Sequence, residues 1–125
     1  MKKEINIDGI PVMMKCTGAT PAFYRELFKH DLFKELAGMK KYLTTDSNGQ
    51  TIADLENFDF GIVERLAYTM AFQANRQIGS LLDWLDPFEH STALIDAMPE
   101  ILTLYMDGLN STSEVKKKNA EPTVR

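Results

Sequence analysis

The sequence contains little of what a catalytic or metal-binding protein needs. Its only cysteine is Cys16, which excludes an intrachain disulfide and fits a reducing, cytosolic setting. The two histidines, His30 and His90, lie far apart in the chain, so that no zinc-ligand spacing exists. The sequence has no P-loop, no G-x-G-x-x-G and no H-E-x-x-H motif. We therefore expect no metal, no cofactor and no enzymatic activity.

Long apolar runs are also missing. No segment reaches the roughly 18 consecutive apolar residues that span a bilayer. The first residues, MKKEINIDG, turn polar at once and do not resemble the apolar region of a signal peptide. With 125 residues and an apolar fraction of 44%, the chain is long enough for one domain with a modest core. These features predict a soluble intracellular protein that does not bind membranes.

Basic residues are scarce in the middle of the chain. Residues 44–114 carry only Arg65 and Arg76 against twelve Asp and Glu, whereas residues 1–43 and 115–125 each carry a net charge of +3. An acidic body argues against nucleic acid as the main partner, because binding there depends on neutralising phosphates. The opposite charges favour either head-to-tail self-association into a homo-oligomer or simply a solvated surface.

The N-terminal region predicts a β-hairpin followed by a broken helix. Asp8-Gly9 lies between alternating apolar residues and suits a two-residue turn, which places a hairpin at about residues 4–16. Thr20 and Pro21 are typical of an N-cap and a first helical turn. We expect this helix to break near residues 29–31.

The remaining chain predicts helices and turns. The polar stretch 44–59 indicates a surface loop, and the following helix should end at Gly79. A later helix should either be kinked at Pro99 or begin anew there, and it should end at Gly108. The expected fold is mainly α: a compact multi-helix domain with a small N-terminal β-hairpin and a disordered C-terminal tail. Residues 1–110 would form the single domain, and residues 111–125 would form the flexible basic tail.

The stretch SLLDWLDPFEH concentrates the residues that most resemble a chemical site. Its acids, Asp83, Asp86 and Glu89, recur every three residues and are followed by His90. Such a pattern fits an acid–base or metal site, but it also fits the solvated face of a helix whose apolar residues are buried. Ser80 and Asp83 have capping-box spacing, which favours the second interpretation.

Methionines and aromatic residues are plentiful for a chain of this length. The sequence has seven Met, seven Phe, four Tyr and one Trp. Most of them must form the core, but Met, Trp and Tyr also favour surfaces that bind partner proteins. Trp84, Phe88 and Tyr105 are the candidates for a partner-binding patch.

Several motifs, taken in order, resemble a known protein family. IDGIPVMMKCTGATPAFYRELFKHDLFKEL is similar to the N-terminal half of tail assembly chaperones from long, non-contractile-tailed phages and prophages of Gram-positive bacteria. ERLAYTMAFQAN, LLDWLDPFE and MPEIL match that family's second half in order and spacing. The chain departs from it at Lys29-His30, where relatives often carry Gly-Arg, and at Ala22, where a basic residue is common.

The resemblance implies a non-enzymatic role in the host cytoplasm. Members of this family bind and solubilise the tape measure protein during tail morphogenesis and help to recruit tail tube subunits. They are absent from the mature virion. A competing hypothesis is a structural tail or head–tail connector protein that stays in the virion. A small hydrolase using Asp83, Asp86 and His90 is the least favoured alternative.

The C-terminal lysines add a further hypothesis through the same resemblance. In this family a longer product, which recruits the tail tube protein, often arises by programmed ribosomal frameshifting. Lys116, Lys117 and Lys118 can be encoded by an A-rich slippery run. The alternative is that they belong to a solubilising basic tail.

Overall fold

The computed structural model describes residues 1–120, with side chains described for residues 1–109. The protein is 52% helical and also contains two small antiparallel sheets. Four strands form these sheets: β1 (Lys2–Ile7), β2 (Ile10–Lys15), β3 (Leu43–Thr45) and β4 (Thr51–Ala53). The helices are α1 (Thr20–Phe28), α2 (Leu32–Met39), α3 (Phe60–Ala74), α4 (Leu81–Leu85) and α5 (Ala93–Ala120), with a 3-10 turn at Lys40–Tyr42.

The N-terminal hairpin forms as predicted. Asp8 and Gly9 connect β1 to β2 with φ values of 53° and 81°, and Asp and Gly are among the residues that such a turn favours. Pro11 lies opposite Asn6 in this two-stranded sheet, where every strand is an edge strand and Pro is tolerated. The inner face contributes the fully buried Ile5 and packs on α3 and α5.

A second hairpin corrects the loop predicted for residues 44–59. β3 and β4 pair in register from Leu43↔Ala53 to Thr45↔Thr51. The Asp46 side chain accepts hydrogen bonds from the backbone N–H groups of residues 48 and 50, and Gly49 adopts φ 82°. The Thr51 N–H donates to Thr103 Oγ1 at 2.8 Å, which fastens this hairpin to α5.

Helices α1 and α2 are separated at residues 29–31, as expected, but Thr20 is not the N-cap. The N-cap is Ala19, and Thr20 lies inside the first turn of α1. Its buried hydroxyl donates to Gln73 Oε1 of α3 at 2.6 Å. Thr20 is therefore used for tertiary contact between α1 and α3 rather than for capping.

Two predicted helix starts are confirmed by side-chain caps. Asp59 accepts a hydrogen bond from the Gly61 N–H at the start of α3, and Ser80 accepts one from the Asp83 N–H at the start of α4. α3 ends at Ala74 rather than at Gly79, and the intervening residues form a turn that leads to α4.

Helix α5 is longer and more continuous than predicted. Pro99 lies inside it, so Pro99 does not begin a new helix. Gly108 also lies inside α5 rather than ending it, and an added Cβ there would be 3.1 Å from Cys16 Sγ. The glycine is explained by close packing of the helix against the end of the first hairpin.

One continuous apolar core joins the hairpins and helices. It contains residues from every helix and from three of the strands, with Tyr24, Leu66, Met70, Ile101 and Leu102 fully buried. The tail predicted for residues 111–125, including Lys116, Lys117 and Lys118, lies outside the described side chains, and residues 121–125 lie outside the described backbone as well.

Candidate partner-binding surface

Seven aromatic side chains form a connected cluster along α1, α3 and α4. Neighbouring rings lie 5.4–6.2 Å apart, and most pairs meet edge to face, which is a favoured geometry. This aromatic row consists of Phe23, Tyr24, Phe28, Tyr68, Phe72, Trp84 and Phe88.

Tyr68 is the junction of the aromatic row. Its ring contacts Phe28, Phe72 and Trp84, and its hydroxyl donates to the backbone carbonyl of Gly79. Burial raises the pKa of this hydroxyl above its ordinary value, so that the group remains a hydrogen-bond donor. The bond to Gly79 fixes the turn that positions α4 against α3.

Two arginines cover the end of the aromatic row formed by α1. The Arg76 guanidinium carbon lies 4.7 Å from the ring centroid of Phe23 and 5.4 Å from that of Phe72. The Arg65 guanidinium carbon lies 5.8 Å from the centroid of Tyr24. Cations at these distances are attracted to the negative face of an aromatic ring. The protein therefore supplies its own positive charges to this part of the row.

A polar network behind Tyr24 joins α1, α2 and α3. Arg65 Nε donates to Tyr24 Oη at 2.8 Å, and its terminal nitrogen donates to Glu35 Oε2 at 2.9 Å. Tyr24 Oη in turn donates to Glu35 Oε1 at 2.5 Å, and His30 Nδ1 lies 2.8 Å from Glu35 Oε2. Both oxygens of Glu35 are therefore satisfied, which makes this a structural tie between three helices.

The network sets the ionisation of its members. Burial alone would raise the pKa of the Glu35 carboxyl, but the hydrogen bonds from Tyr24 and His30 and the charge of Arg65 outweigh it and hold that pKa below its ordinary value. Burial and the neighbouring carboxylate raise the pKa of the Tyr24 hydroxyl far above its ordinary value. Glu35 is thus charged and Tyr24 neutral at physiological pH.

The structure does not bring the three predicted partner-binding residues into one exposed patch. Trp84 is only 8% exposed and Tyr105 only 2% exposed, whereas Phe88 is half-buried. Tyr105 is a core residue of α5, and its hydroxyl has no hydrogen-bond partner within the described part of the chain. Of these three residues, only Phe88, next to Trp84 at the end of the aromatic row, is partly accessible to solvent.

The acidic residues of SLLDWLDPFEH lie on the solvent side of α4 and its following turn. Asp83, Asp86 and Glu89 are exposed, whereas Trp84 between them is buried. Among the side chains of residues 1–109, no three His, Cys, Asp or Glu residues are grouped so as to hold a metal ion. This arrangement is that of a half-exposed helix, as the capping pattern indicates.

His90 makes a contact that no local pattern predicts. Its Nδ1 lies 2.7 Å from Asp8 Oδ1, and its backbone N–H donates to Asp8 Oδ2 at 3.2 Å. These hydrogen bonds from His90 lower the pKa of the Asp8 carboxyl. They tie the turn of the first hairpin to the segment between α4 and α5.

Beside this tie the surface opens into a cleft with a volume of about 150 Å³. It lies where the beginning of α3, the end of α4 and the beginning of α5 meet. Five of its lining side chains are apolar and three are polar. The residues of this Phe88 cleft are Phe60, Glu64, Leu85, Phe88, His90, Ser91, Ala93 and Leu94.

The sequence analysis named Phe88 as a candidate but did not predict the cleft that Phe88 lines. Its walls come from segments that are up to 34 positions apart in the sequence, so that their proximity depends on how α3, α4 and α5 pack. The Tyr24–Glu35–Arg65 network was missed for the same reason. The sequence signal for this network is Arg65, because it interrupts the apolar pattern of α3 and a half-buried arginine needs a partner.

Comparison of this chain with protein-family models, curated proteins and solved structures finds no match. Within the described part of the chain, every helix is too short or too polar to cross a membrane.

Proposed function

We propose that this protein is a tail assembly chaperone of a long-tailed phage or prophage. It binds the tape measure protein in the host cytoplasm, keeps it soluble and helps to recruit tail tube subunits. It leaves before the virion is complete. The ordered set of sequence motifs, from the N-terminal hairpin to MPEIL, is the observation that carries this proposal.

The surface of the protein is suited to such a role. Its side chains supply an acidic exterior for solubility and, in the Phe88 cleft, an apolar depression for a partner's side chain. Large apolar residues such as Leu55 and Leu82 are exposed at 61% and 76% elsewhere on the molecule. Several weak apolar contacts along one elongated partner gain strength through avidity.

Co-expression with the tape measure protein encoded downstream tests the proposal directly. We expect the tape measure protein to be found in the soluble fraction with this protein and in the insoluble fraction without it. A matched control is an unrelated acidic protein of similar size expressed from the same plasmid. An unchanged soluble fraction would contradict the proposal.

Mass spectrometry of purified particles separates the chaperone from a structural tail or connector protein. The proposal predicts that the protein is absent from finished virions, and stoichiometric presence would favour the structural alternative. The proposed link to tail tube protein requires a longer product. Sequencing the codons of Lys116–Lys118 tests it, since no slippery run near them would exclude frameshifting at this position.

A further inference from the structure

The Phe88 cleft is lined by large apolar side chains together with the carboxylate of Glu64. None of the described side chains that line it is Lys or Arg. The wall segments, residues 59–64 and 85–96, carry five acids and no Lys or Arg: Asp59, Glu64, Asp86, Glu89 and Asp96. A partner that enters this cleft therefore meets apolar side chains and the carboxylate of Glu64, and the acids at neighbouring positions of the chain add negative charge to this region.

The basic residue that is nearest to the cleft residues in sequence, Arg65, binds other side chains. Arg65 directly follows Glu64 in α3, but its guanidinium donates to Tyr24 and Glu35. Its terminal nitrogen also lies 4.0 Å from Asp59 Oδ2, a contact at the limit of an ion pair. His90, which lines the cleft, has its Nδ1 2.7 Å from Asp8 Oδ1. Among the described side chains, no Lys or Arg forms an ion pair with Glu64, Asp86, Glu89 or Asp96.

The size of the cleft limits what it can accept. A cavity of about 150 Å³ lined by Leu, Ile and Phe takes up a molecule of the size of benzene. The Phe88 cleft, of similar volume, accommodates one large side chain such as Leu or Phe. An amphipathic helix presents such side chains at i, i+3, i+4 and i+7 and lays its apolar stripe into a groove.

We propose that the Phe88 cleft binds a basic amphipathic helix by taking one of its large apolar side chains between Phe60, Leu85 and Phe88. Lysines or arginines flanking that side chain pair with Glu64 and the neighbouring acids. This inference rests on the proposed function, because the tape measure protein would supply the helix. The complementary charge gives orientation and a fast association rate, and the apolar side chain provides most of the affinity.

A designed peptide tests the recognition chemistry without the natural partner. The probe is a fluorescent helix with leucines at i, i+3, i+4 and i+7 and lysines at its other positions, and the comparison peptide has glutamate in place of lysine. We expect the full-length protein to bind the lysine peptide and to bind the glutamate peptide at least about tenfold more weakly. Equal binding of both peptides would overturn the charge requirement, and binding of neither would overturn the proposal.

Two variants locate the binding site. Glu64→Lys reverses a charge of the cleft wall, and Ser91→Trp fills the cleft from an exposed position without removing core atoms. Each should weaken binding of the lysine peptide by about tenfold. The matched controls are Glu26→Lys on α1 and Ser47→Trp in the β3–β4 turn, which should bind as the wild type does.

Circular dichroism of each variant shows whether it is folded. NMR shifts of Leu85 and Leu94 in the wild-type protein report occupation of the cleft independently of either variant. Normal peptide binding by both folded cleft variants would overturn the inference. Concentration-dependent self-association that Ser91→Trp abolishes would also overturn it, by showing that a second copy occupies the cleft.

The inference and the proposed function fail in different ways. If the wild type keeps the tape measure protein soluble and both cleft variants do so equally well, the cleft inference is wrong and the chaperone proposal stands. If the wild type binds the lysine peptide in the cleft but does not affect tape measure solubility, the assignment of the partner is wrong.

Discussion

The aromatic row and the Phe88 cleft are two apolar regions that share Phe88 but differ in how they are covered. In the row, the rings pack on one another, and Arg65 and Arg76 lie over its α1 end. In the cleft, Phe60 and Phe88 line an open depression in which no described lining residue is a cation. Apolar content alone therefore does not distinguish the two regions. They differ in whether other described side chains cover the rings.

Truncating Trp84, the buried ring of the row on α4, should have the largest effect on stability. Trp84→Ala removes a side chain that is 8% exposed and packed between Tyr68 and Phe88. We expect the free energy of unfolding to fall by about 3–5 kcal/mol, as for other large-to-small core substitutions. Denaturant unfolding measures it. If the unfolding free energy fell by less than about 1 kcal/mol and partner binding was lost, Trp84 would be a residue that contacts the partner and not a core residue.

The two arginines that cover the row should contribute unequally to the free energy of unfolding. Arg65→Leu leaves Glu35 and Tyr24 without their shared donor in a half-buried position, which should cost about 2–3 kcal/mol. Arg76→Leu removes an exposed cation from above Phe23 and Phe72 and should cost at most about 1 kcal/mol. If denaturant unfolding gave equal losses of unfolding free energy for the two variants, both arginines would act only by covering aromatic rings.

The Glu35 network should make stability sensitive to acid. Because the pKa of Glu35 is lowered in the folded state, its contribution is complete above the ordinary glutamate pKa and is lost as pH falls through the lowered value. Glu35→Gln should therefore reduce the loss of unfolding free energy between about pH 6 and about pH 3. Glu26→Gln on the exposed side of α1 is the control. The same acid dependence in Glu35→Gln and wild type would contradict the assignment.

Filling the cleft should have the smallest effect on stability. Ser91 is exposed at its edge, so Ser91→Trp should change the free energy of unfolding by no more than about 0.5 kcal/mol. Ser47→Trp provides the comparison at an exposed turn. A loss well above about 1 kcal/mol in Ser91→Trp alone would mean that the cleft is closed by its own side chains in solution.

Elements with strong local signals could be predicted from the sequence, and those that depend on packing could not. Asp8-Gly9 specifies the first hairpin because few other residues adopt both positive φ values, and Ser80 begins α4 by capping it. The second hairpin was missed because its strands have three residues each and little apolar alternation. Gly108 looked like a helix end, but it lies inside α5, where an added Cβ would be in tight contact with Cys16.

The candidate site was predictable only in part. Phe88 could be singled out by its place beside Trp84, but the burial of Tyr105 follows from the packing of α5 in the core. The contact between Asp8 and His90 joins residues 82 positions apart. No local periodicity encodes such a contact, and the cleft beside it is equally a product of the tertiary structure.

Photo-crosslinking during co-expression with the tape measure protein shows whether the Phe88 cleft contacts this partner. A photoreactive amino acid replaces Ser91 at the edge of the Phe88 cleft or, as the control, Ser47 in the β3–β4 turn. We predict crosslinks to the tape measure protein from position 91 and few or none from position 47. No crosslink from position 91, or equal yields from both positions, would contradict the claim that the cleft binds this partner.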